Sequence, residues 1–401
     1  MTTPRILITG GDGYVGTHLS NKLSNEYSTY KTSIFNKKGF IKLDICNRTE
    51  VHKIIKKLKP KIIIHTAGLS SLTECEKNPE LAHKINVLGT KNIVDEIKLL
   101  KLDCNLIFLS SEYVFSGERG NYSEEDPTQP KTTYGKNKVE CEEYIKENLK
   151  EYIICRSANI FGKGGNFFNF VLDNLKAKNQ IEVFSDTYYT PTYIEYLTDC
   201  IPLLIEKKFF GTIHLVGQEK TSRYEFAIAL AKVLGIENPK ISPLTQPKEG
   251  LISKDSSLNS SKLRKLLNNY SPTINEALNF AVENHKYPYF YYSDDRGSIK
   301  GLIQDNNWKE INYVTSKKMQ IRGNHYHKNA TEGFFIINGK IKISLTDLVT
   351  KEKKEFFSSN GDYFFIKPMT LHTFEILEDS SWINMLSISI KGKNKDIHRL
   401  T

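Results

Sequence analysis

Apolar and polar positions follow two different rhythms along this chain. Over the first two thirds, short apolar runs alternate with stretches of helical spacing. Ile6–Thr9 leads through the turn GGDGYVG into THLSNKLSNE; KTSIF precedes a helix around Val51–Leu58; KIIIHTAG precedes a long helix near Ala82–Leu100; NLIFLSS follows. Strand-length apolar runs alternating with helices predict right-handed crossovers and a parallel sheet covered on both faces. The rhythm continues through YIICRSANIFG, GTIHLVGQ and RYEFAIALAKVLG, then fades in the polar stretch Gln246–Lys265. Beyond Tyr291 the period drops to that of strands. GFFII, KIKISL, DYFFI and TFEIL are separated by turn signals, among them Asn338-Gly339 and Asn360-Gly361. Asn-Gly between alternating apolar runs is a strong hairpin signal, so the C-terminal part is expected to form an antiparallel barrel or sandwich.

The expected fold class is therefore an α/β Rossmann-type, doubly wound parallel sheet with a small substrate subdomain over residues 1–275, followed by an all-β domain over 285–401. The boundary is placed in YSPTINEALNFAVENHKYPYF, about residues 270 to 290. A length of 401 residues suits two such domains.

Composition mainly removes alternatives. No apolar run reaches the roughly 18 residues of a membrane span, and MTTPRILITGG enters a strand without the apolar core of a secretory signal. A cytoplasmic protein is expected. The six cysteines fall in the first half with no CxxC pair, which argues against a disulfide framework or zinc knuckle. The formal charge of +10 is spread along the chain, and its densest run, KIIKKLKPK, reads as the solvated face of a helix entering a strand. Nucleic acid is therefore not expected, although the excess would help attract an anionic ligand. A homodimer is expected.

Gly10, Gly13 and Gly16 follow a strand and open a helix. Glycines there permit a tight turn and a close approach of the backbone to a pyrophosphate at the helix N-terminus. The second strand ends Phe35-Asn36-Lys37-Lys38 with no carboxylate for a ribose hydroxyl. Two lysines suit a 2′-phosphate, favouring NADPH over NADH, while Asp44 is placed along the adenine. Tyr134 and Lys138 lie one helical turn apart, and a cation beside a phenol lowers its pKa. Ser111, closing LIFLSS, is positioned to hydrogen-bond the oxygen being reduced.

With these residues the chain resembles the extended short-chain dehydrogenase/reductases, and within them the dTDP-4-dehydrorhamnose reductase branch. ITGGDGYVG, HTAG, CEKNPELAHKINVLGTKN, SSEYVFSG, PTQPKTTYGKNK, RSANIFG and GTIHLVGQEKTSRYEFA fall in family order over about residues 4 to 270. The resemblance implies Tyr134 as catalytic acid, Lys138 as its partner and ribose contact, and Ser111 as oxyanion donor. It puts Glu112 where the reductases often have Asp, and Arg156 and Asn159 near the substrate. Inactive regulatory members of this fold typically lose parts of the Tyr/Lys pair, which is intact here.

A second constellation lies in RGNHYHKNATEGFFIING. His325 and His327, two residues apart on a strand, point to one face; Glu332 follows, and His372 sits on a later hairpin. Three imidazoles and a carboxylate suit Zn²⁺, Mn²⁺ or Fe²⁺, with metal-free acid/base histidines and plain packing as the other readings. The pattern resembles the cupin superfamily. Its first motif matches fully, whereas the second is one residue short and lacks the usual Gly after Pro368. DDRGSIKGLI and RGNHYHK narrow the resemblance to sugar-nucleotide cupins: deoxysugar 3,5-epimerases, 3,4-ketoisomerases and the C-terminal module of UDP-2-acetamido-2,6-dideoxy-L-talose synthases, whose domain order is the same. In such epimerases the His of an RGxH run acts beside its Arg, which would let Arg322 and His325 work without metal.

The two resemblances combine into one expectation, a bifunctional enzyme of deoxysugar and polysaccharide biosynthesis. His325 or a bound metal would support epimerisation of a nucleotide-linked 4-keto-6-deoxyhexose at C3, C5 or both, and the reductase would then trap the product at C4. A cupin acting as a ketoisomerase, or as a non-catalytic sugar-binding module, is the alternative.

Overall fold

The computed structural model describes residues 4–24, 27–162, 164–245, 252–267, 271–283, 290–294, 297–301, 308–389 and 396–399. The chain divides into two compact units, Met1–Leu278 and Asn279–Thr401.

The first unit is built on a seven-stranded parallel sheet. Its strands are β1 (Arg5–Thr9), β2 (Ser28–Ser33), β3 (Ile41–Lys42), β4 (Ile62–His65), β5 (Asn105–Ser111), β6 (Tyr152–Ser157) and β7 (Gly211–His214). They lie in the order β7-β6-β5-β4-β1-β2-β3. The winding direction reverses between β1 and β4, which pair Ile6 with Ile62 and Thr9 with His65. Their carboxyl ends frame the crevice where open α/β sheets bind ligands. The central strands are almost entirely apolar because both faces are covered. Leu7, Ile63, Leu106 and Ile154 pack with Val51 and Ile55 of helix α2 (Arg48–Leu58) and Ile93 and Val94 of helix α3 (Gly89–Leu99).

Helix α2 is capped by Asn47, whose side chain accepts from the N–H groups of Thr49 and Glu50, and ends at Lys59 in the left-handed region, φ 44°. Lys53, Lys56 and Lys57 are exposed on it, so the basic run is a solvated helix face. The long helix expected near Ala82–Leu100 is composite: Pro79–His83, a π-helical turn Lys84–Leu88, then α3. Two close contacts lie at that turn. Gly89 lies so close to Ile45 that a Cβ would come within 2.6 Å of its Cδ1. Buried Asn86 bonds both backbone groups of Leu69, at 2.7 and 3.0 Å. A small subdomain follows, containing helix Asn166–Lys176, the strand pairs Ile181–Phe184 with Ile241–Leu244 and Tyr188–Tyr189 with Thr221–Ser222, and a helix that opens at Arg223.

After a helix that ends at Glu283, the second unit is all β among the described residues. Its main strands are β8 (Glu310–Ser316), β9 (Ile321–His325), β10 (Glu332–Asn338), β11 (Lys340–Asp347), β12 (Lys353–Ser359), β13 (Tyr363–Ile366), β14 (Thr370–Ile376) and β15 (Ser380–Leu386). They form two four-stranded sheets, β8-β15-β10-β13 and β9-β14-β11-β12, with every pair antiparallel. Alternate residues of both sheets supply one apolar core, including Phe334, Ile336, Ile341, Ile343, Phe374 and Trp382. Gly339 (φ 97°) makes the β10–β11 turn signalled by Asn-Gly. A further hairpin joins Phe290–Asp294 and Gly297–Gly301. Asp295, Arg296, Leu302 and Ile303 of the DDRGSIKGLI motif lie outside the described residues.

Candidate active sites

A cavity of about 770 Å³ in the first unit draws on the β1 turn, the end of β5, and the subdomain. Gly10 has φ 64°, and a Cβ there would meet the Ala67 backbone at 2.8 Å; a Cβ on Gly16 would meet the Gly10 carbonyl at 2.2 Å. Gly13 caps helix α1 (Tyr14–Leu23) with no side-chain bond, so the first N–H groups of that helix are available to a phosphate.

Ser111, Tyr134 and Lys138 line the same cavity. Tyr134 and Lys138 project from helix α4 (Thr133–Asn148), which is capped by Thr132 accepting from Gly135 N–H at 3.1 Å. Gly135 lets the helix start press onto the segment after β5, since a Cβ would lie 2.1 Å from the Tyr113 carbonyl. The Lys138 ammonium donates to the Leu109 carbonyl at 2.7 Å and stands 5.6 Å from the centre of the Tyr134 ring.

The expectation that Lys138 lowers the Tyr134 pKa is not met. Burial pushes the phenol well up, the nearby Glu112 carboxylate adds to this, and only a hydrogen bond with Ser111 pulls it down. Burial pushes Lys138 down. The phenol therefore holds its proton, as a group that must donate one should. Ser111 Oγ donates to Glu112 Oε2 at 2.7 Å, and burial raises Glu112 to about 7.

Arg156 does not reach the cavity. It is 2% exposed, and its guanidinium donates to both Glu142 oxygens at 3.0 and 2.7 Å. Ser110 Oγ donates to the same Glu142 at 2.6 Å, so the pair has a packing role. Asn159 does line the cavity, as does Arg223, whose guanidinium lies 4.7 Å over the Phe167 ring. Arg223 was not singled out from sequence, where TSRYEFA reads as an ordinary helix start.

The residues expected along the adenosine are placed outside the cavity lining. Asn36 and Lys38 are exposed, and Asp44 Oδ1 accepts from the Cys46 N–H at 2.9 Å. The Lys37 ammonium lies 2.6 Å from Asp12 Oδ2.

In the second unit, potential ligand atoms of His325, His327, Glu332 and His372 all lie within 4.8 Å of one another. The strand expected to carry both nearby histidines ends at His325. A bulge between Gly323 and His325 sets His325 opposite His372, and His327 lies beyond the strand. Met369 takes the left-handed φ of 61° in the stretch where the expected glycine is missing, and its N–H bonds the His327 carbonyl at 2.6 Å.

Glu332 Oε2 stands 3.2 Å from His327 Nε2 and 3.1 Å from His372 Nε2. Both Glu332 Oε2 and His327 Nε2 are buried without a hydrogen bond. The outer atoms, by contrast, are held: Glu332 Oε1 accepts from Asn384, and His327 Nδ1 meets the Asp396 carbonyl. The Asp396 carboxylate accepts from the N–H groups of Lys328, Asn329 and Ala330 at 2.8 to 2.9 Å, bracing the loop after His327. Such outer contacts orient metal-ligating imidazoles. Burial presses His372 down to about 4 and lowers His325. It presses on His327 too, but there Glu332 and Asp396 outweigh it and hold the imidazole up. Arg322 bonds Ser316 and Thr315 on β8, at 3.2 and 3.3 Å.

Comparison with known proteins matches residues 4–286 to the family described as RmlD substrate binding domain, and residues 292–388 to the polysaccharide biosynthesis C-terminal domain. The spore coat polysaccharide biosynthesis protein SpsK of Bacillus subtilis (strain 168) is 30% identical over 244 residues, covering 60% of this chain and 83% of that protein. A dTDP-4-dehydrorhamnose reductase of Aggregatibacter actinomycetemcomitans is 31% identical over 234 residues, 56% of this chain and 78% of the relative. The crystal structure of dTDP-4-dehydrorhamnose reductase from Bacillus anthracis str. Ames in complex with NADP superposes with a TM-score of 0.63 at 30% identity, covering 70% of this chain and 99% of that one.

Proposed function

Because the chain belongs to the RmlD substrate binding domain family over residues 4–286, we propose that its first part, residues 1–275, is a nucleotide-sugar 4-keto reductase using NADPH. The observation that carries this reading is the meeting of Ser111, Tyr134 and Lys138 in one cavity with an uncapped helix N-terminus. The glycine turn fits a dinucleotide, since its unspent N–H groups suit a pyrophosphate. NADPH supplies the hydride. Ser111 Oγ hydrogen-bonds the substrate ketone at C4, Tyr134 gives its proton to the developing alkoxide, and buried Lys138 stabilises the phenolate that results. Intact acid and cation speak against an inactive regulatory role.

Glu112 adds a pH signature. Raised to about 7, it keeps its proton below that pH and can resupply the Ser111–Tyr134 pair. The prediction is that kcat/KM falls as pH rises through about 7, and that Glu112→Gln loses this inflection. A profile left unchanged by Glu112→Gln counts against the relay.

The second part, residues 285–401, we read as a cupin jelly roll that epimerises the keto sugar before reduction. Two four-stranded antiparallel sheets and a buried His₃Glu cluster support it. His327 Nε2 and Glu332 Oε2, buried face to face at 3.2 Å without a hydrogen bond, fit a divalent ion such as Zn²⁺ held by His325, His327, Glu332 and His372. That ion would supply positive charge against an enolate. His325, the least buried of the four, is the group placed to move a proton at C3 or C5. Arg322 is bonded to β8, which disfavours the metal-free Arg–His version. The test of the whole reading is incubation with dTDP- and UDP-linked 4-keto-6-deoxy sugars, with and without acetamido groups, followed by NMR stereochemistry of the products. Recovery of every sugar unreduced would refute it.

A further inference from the structure

We propose that Thr187 and Tyr189 are specificity-determining residues of the first unit, which read a hydroxyl or another neutral hydrogen-bonding substituent at C2 or C3 of the sugar ring. The proposal rests on the reductase reading. Both side chains line the cavity that holds Ser111, Tyr134 and Lys138, at 2% and 6% exposure. Neither hydroxyl completes a hydrogen bond within the protein. The other threonines of the same stretch differ. Thr190 Oγ1 donates to the Leu258 carbonyl and accepts from the Leu258 N–H, both at 3.1 Å. Thr192 Oγ1 donates to the Leu215 carbonyl at 3.0 Å and accepts from the Ala158 N–H at 3.2 Å. Those two lie outside the cavity lining. Buried hydroxyls are ordinarily bonded, so the two that are not, and that share a cavity with the reacting groups, mark where a ligand supplies the partner.

Tyr189 pairs with Thr221, two residues before Arg223. Burial raises its phenol against the pull of Arg223 and the nearby Asn159 side chain, and Glu112 raises it further. It therefore shares its surroundings with the carboxylate that Ser111 bonds. Asn159 lines the same cavity in the left-handed region, φ 23°, which asparagine enters more readily than most residues. Held in its protonated form, the phenol can both donate and accept, as can the Thr187 hydroxyl. Such groups match a hydroxyl or an amide, which also do both. In a 4-keto-6-deoxyhexose the anomeric carbon carries the nucleotide, C4 the ketone and C5 the methyl. The ring positions left to bear such a substituent are C2 and C3.

The test compares, in the full-length protein, kcat/KM for a dTDP- or UDP-linked 4-keto-6-deoxy sugar that it reduces with kcat/KM for the 2-deoxy and 3-deoxy analogues. Wild type is expected to favour the substituted sugar over at least one analogue by about ten- to a hundredfold, the loss from leaving a buried polar group unpaired. Tyr189→Phe and Thr187→Val each remove one hydroxyl at nearly constant shape. Each should lose turnover with the substituted sugar, keep it with the analogue that lacks the group it reads, and so bring that ratio close to one. Neither variant should melt earlier than wild type, because neither hydroxyl bonds the rest of the protein. Each residue is judged by its own variant: a preserved ratio, or early melting with equal losses on every sugar, removes it. Equal reduction of all three sugars by wild type overturns the assignment and leaves the reductase intact. Reduction of no 4-keto sugar overturns both.

Discussion

In Tyr134→Phe, reduction of the 4-keto sugar should fall by roughly two to four orders of magnitude, the range a positioned general acid contributes, while NADPH binding persists. The substitution removes one hydroxyl and leaves the ring, which packs edge-on against Tyr113 at 6.2 Å between centroids. The glycine turn, Lys138 and the α4 cap are untouched. Stopped-flow measurement of NADPH oxidation, paired with a binding titration, separates loss of chemistry from loss of cofactor. Burial holds the phenol protonated, and turnover close to wild type would remove Tyr134 from the mechanism.

The second large effect concerns the His₃Glu cluster. In D₂O without NADPH, a 4-keto sugar should take up deuterium at C3, C5 or both, and Tyr134→Phe should leave that exchange intact. His325→Ala should abolish it while sparing reduction of an already epimerised substrate, because the two clusters draw on different elements. Exchange that disappears on chelation and returns with Zn²⁺ supports the four-residue metal site; indifference to chelator points to metal-free imidazoles. Wild type that shows no exchange with any 4-keto sugar it reduces leaves the second unit as a binding module.

The elements of both clusters were legible in sequence where the information is local. Gly10, Gly13 and Gly16 stand in one turn, Tyr134 and Lys138 are one helical turn apart, and His325, His327 and Glu332 fall within eight residues. What sequence did not reveal depends on pairings made by folding. Lys37 finds Asp12 across 25 positions, and His327 finds Asp396 across 69. Proximity to Lys138 alone predicts a lowered Tyr134 pKa, whereas burial, which spacing does not show, is the larger effect and raises it. The π-helical turn Lys84–Leu88, within which Asn86 bonds to Leu69, is announced by no periodicity.

The ion pair between Arg156 and Glu142 bears on how variants of this chain would be sorted in a screen. Glu142 belongs to the helix that carries Tyr134 and Lys138, and it is gripped by Arg156 on β6 and Ser110 on β5, next to Ser111. Both partners are almost fully buried, at 2% and 1% side-chain exposure, and removing one member of such a pair typically costs about 3 to 5 kcal/mol. A selection that scores only growth or product would class Arg156→Ala with the catalytic variants, although Arg156 lies outside the cavity. Thermal melts would part the two groups: the Arg156 variant would melt early, and Tyr134→Phe would melt with the wild type.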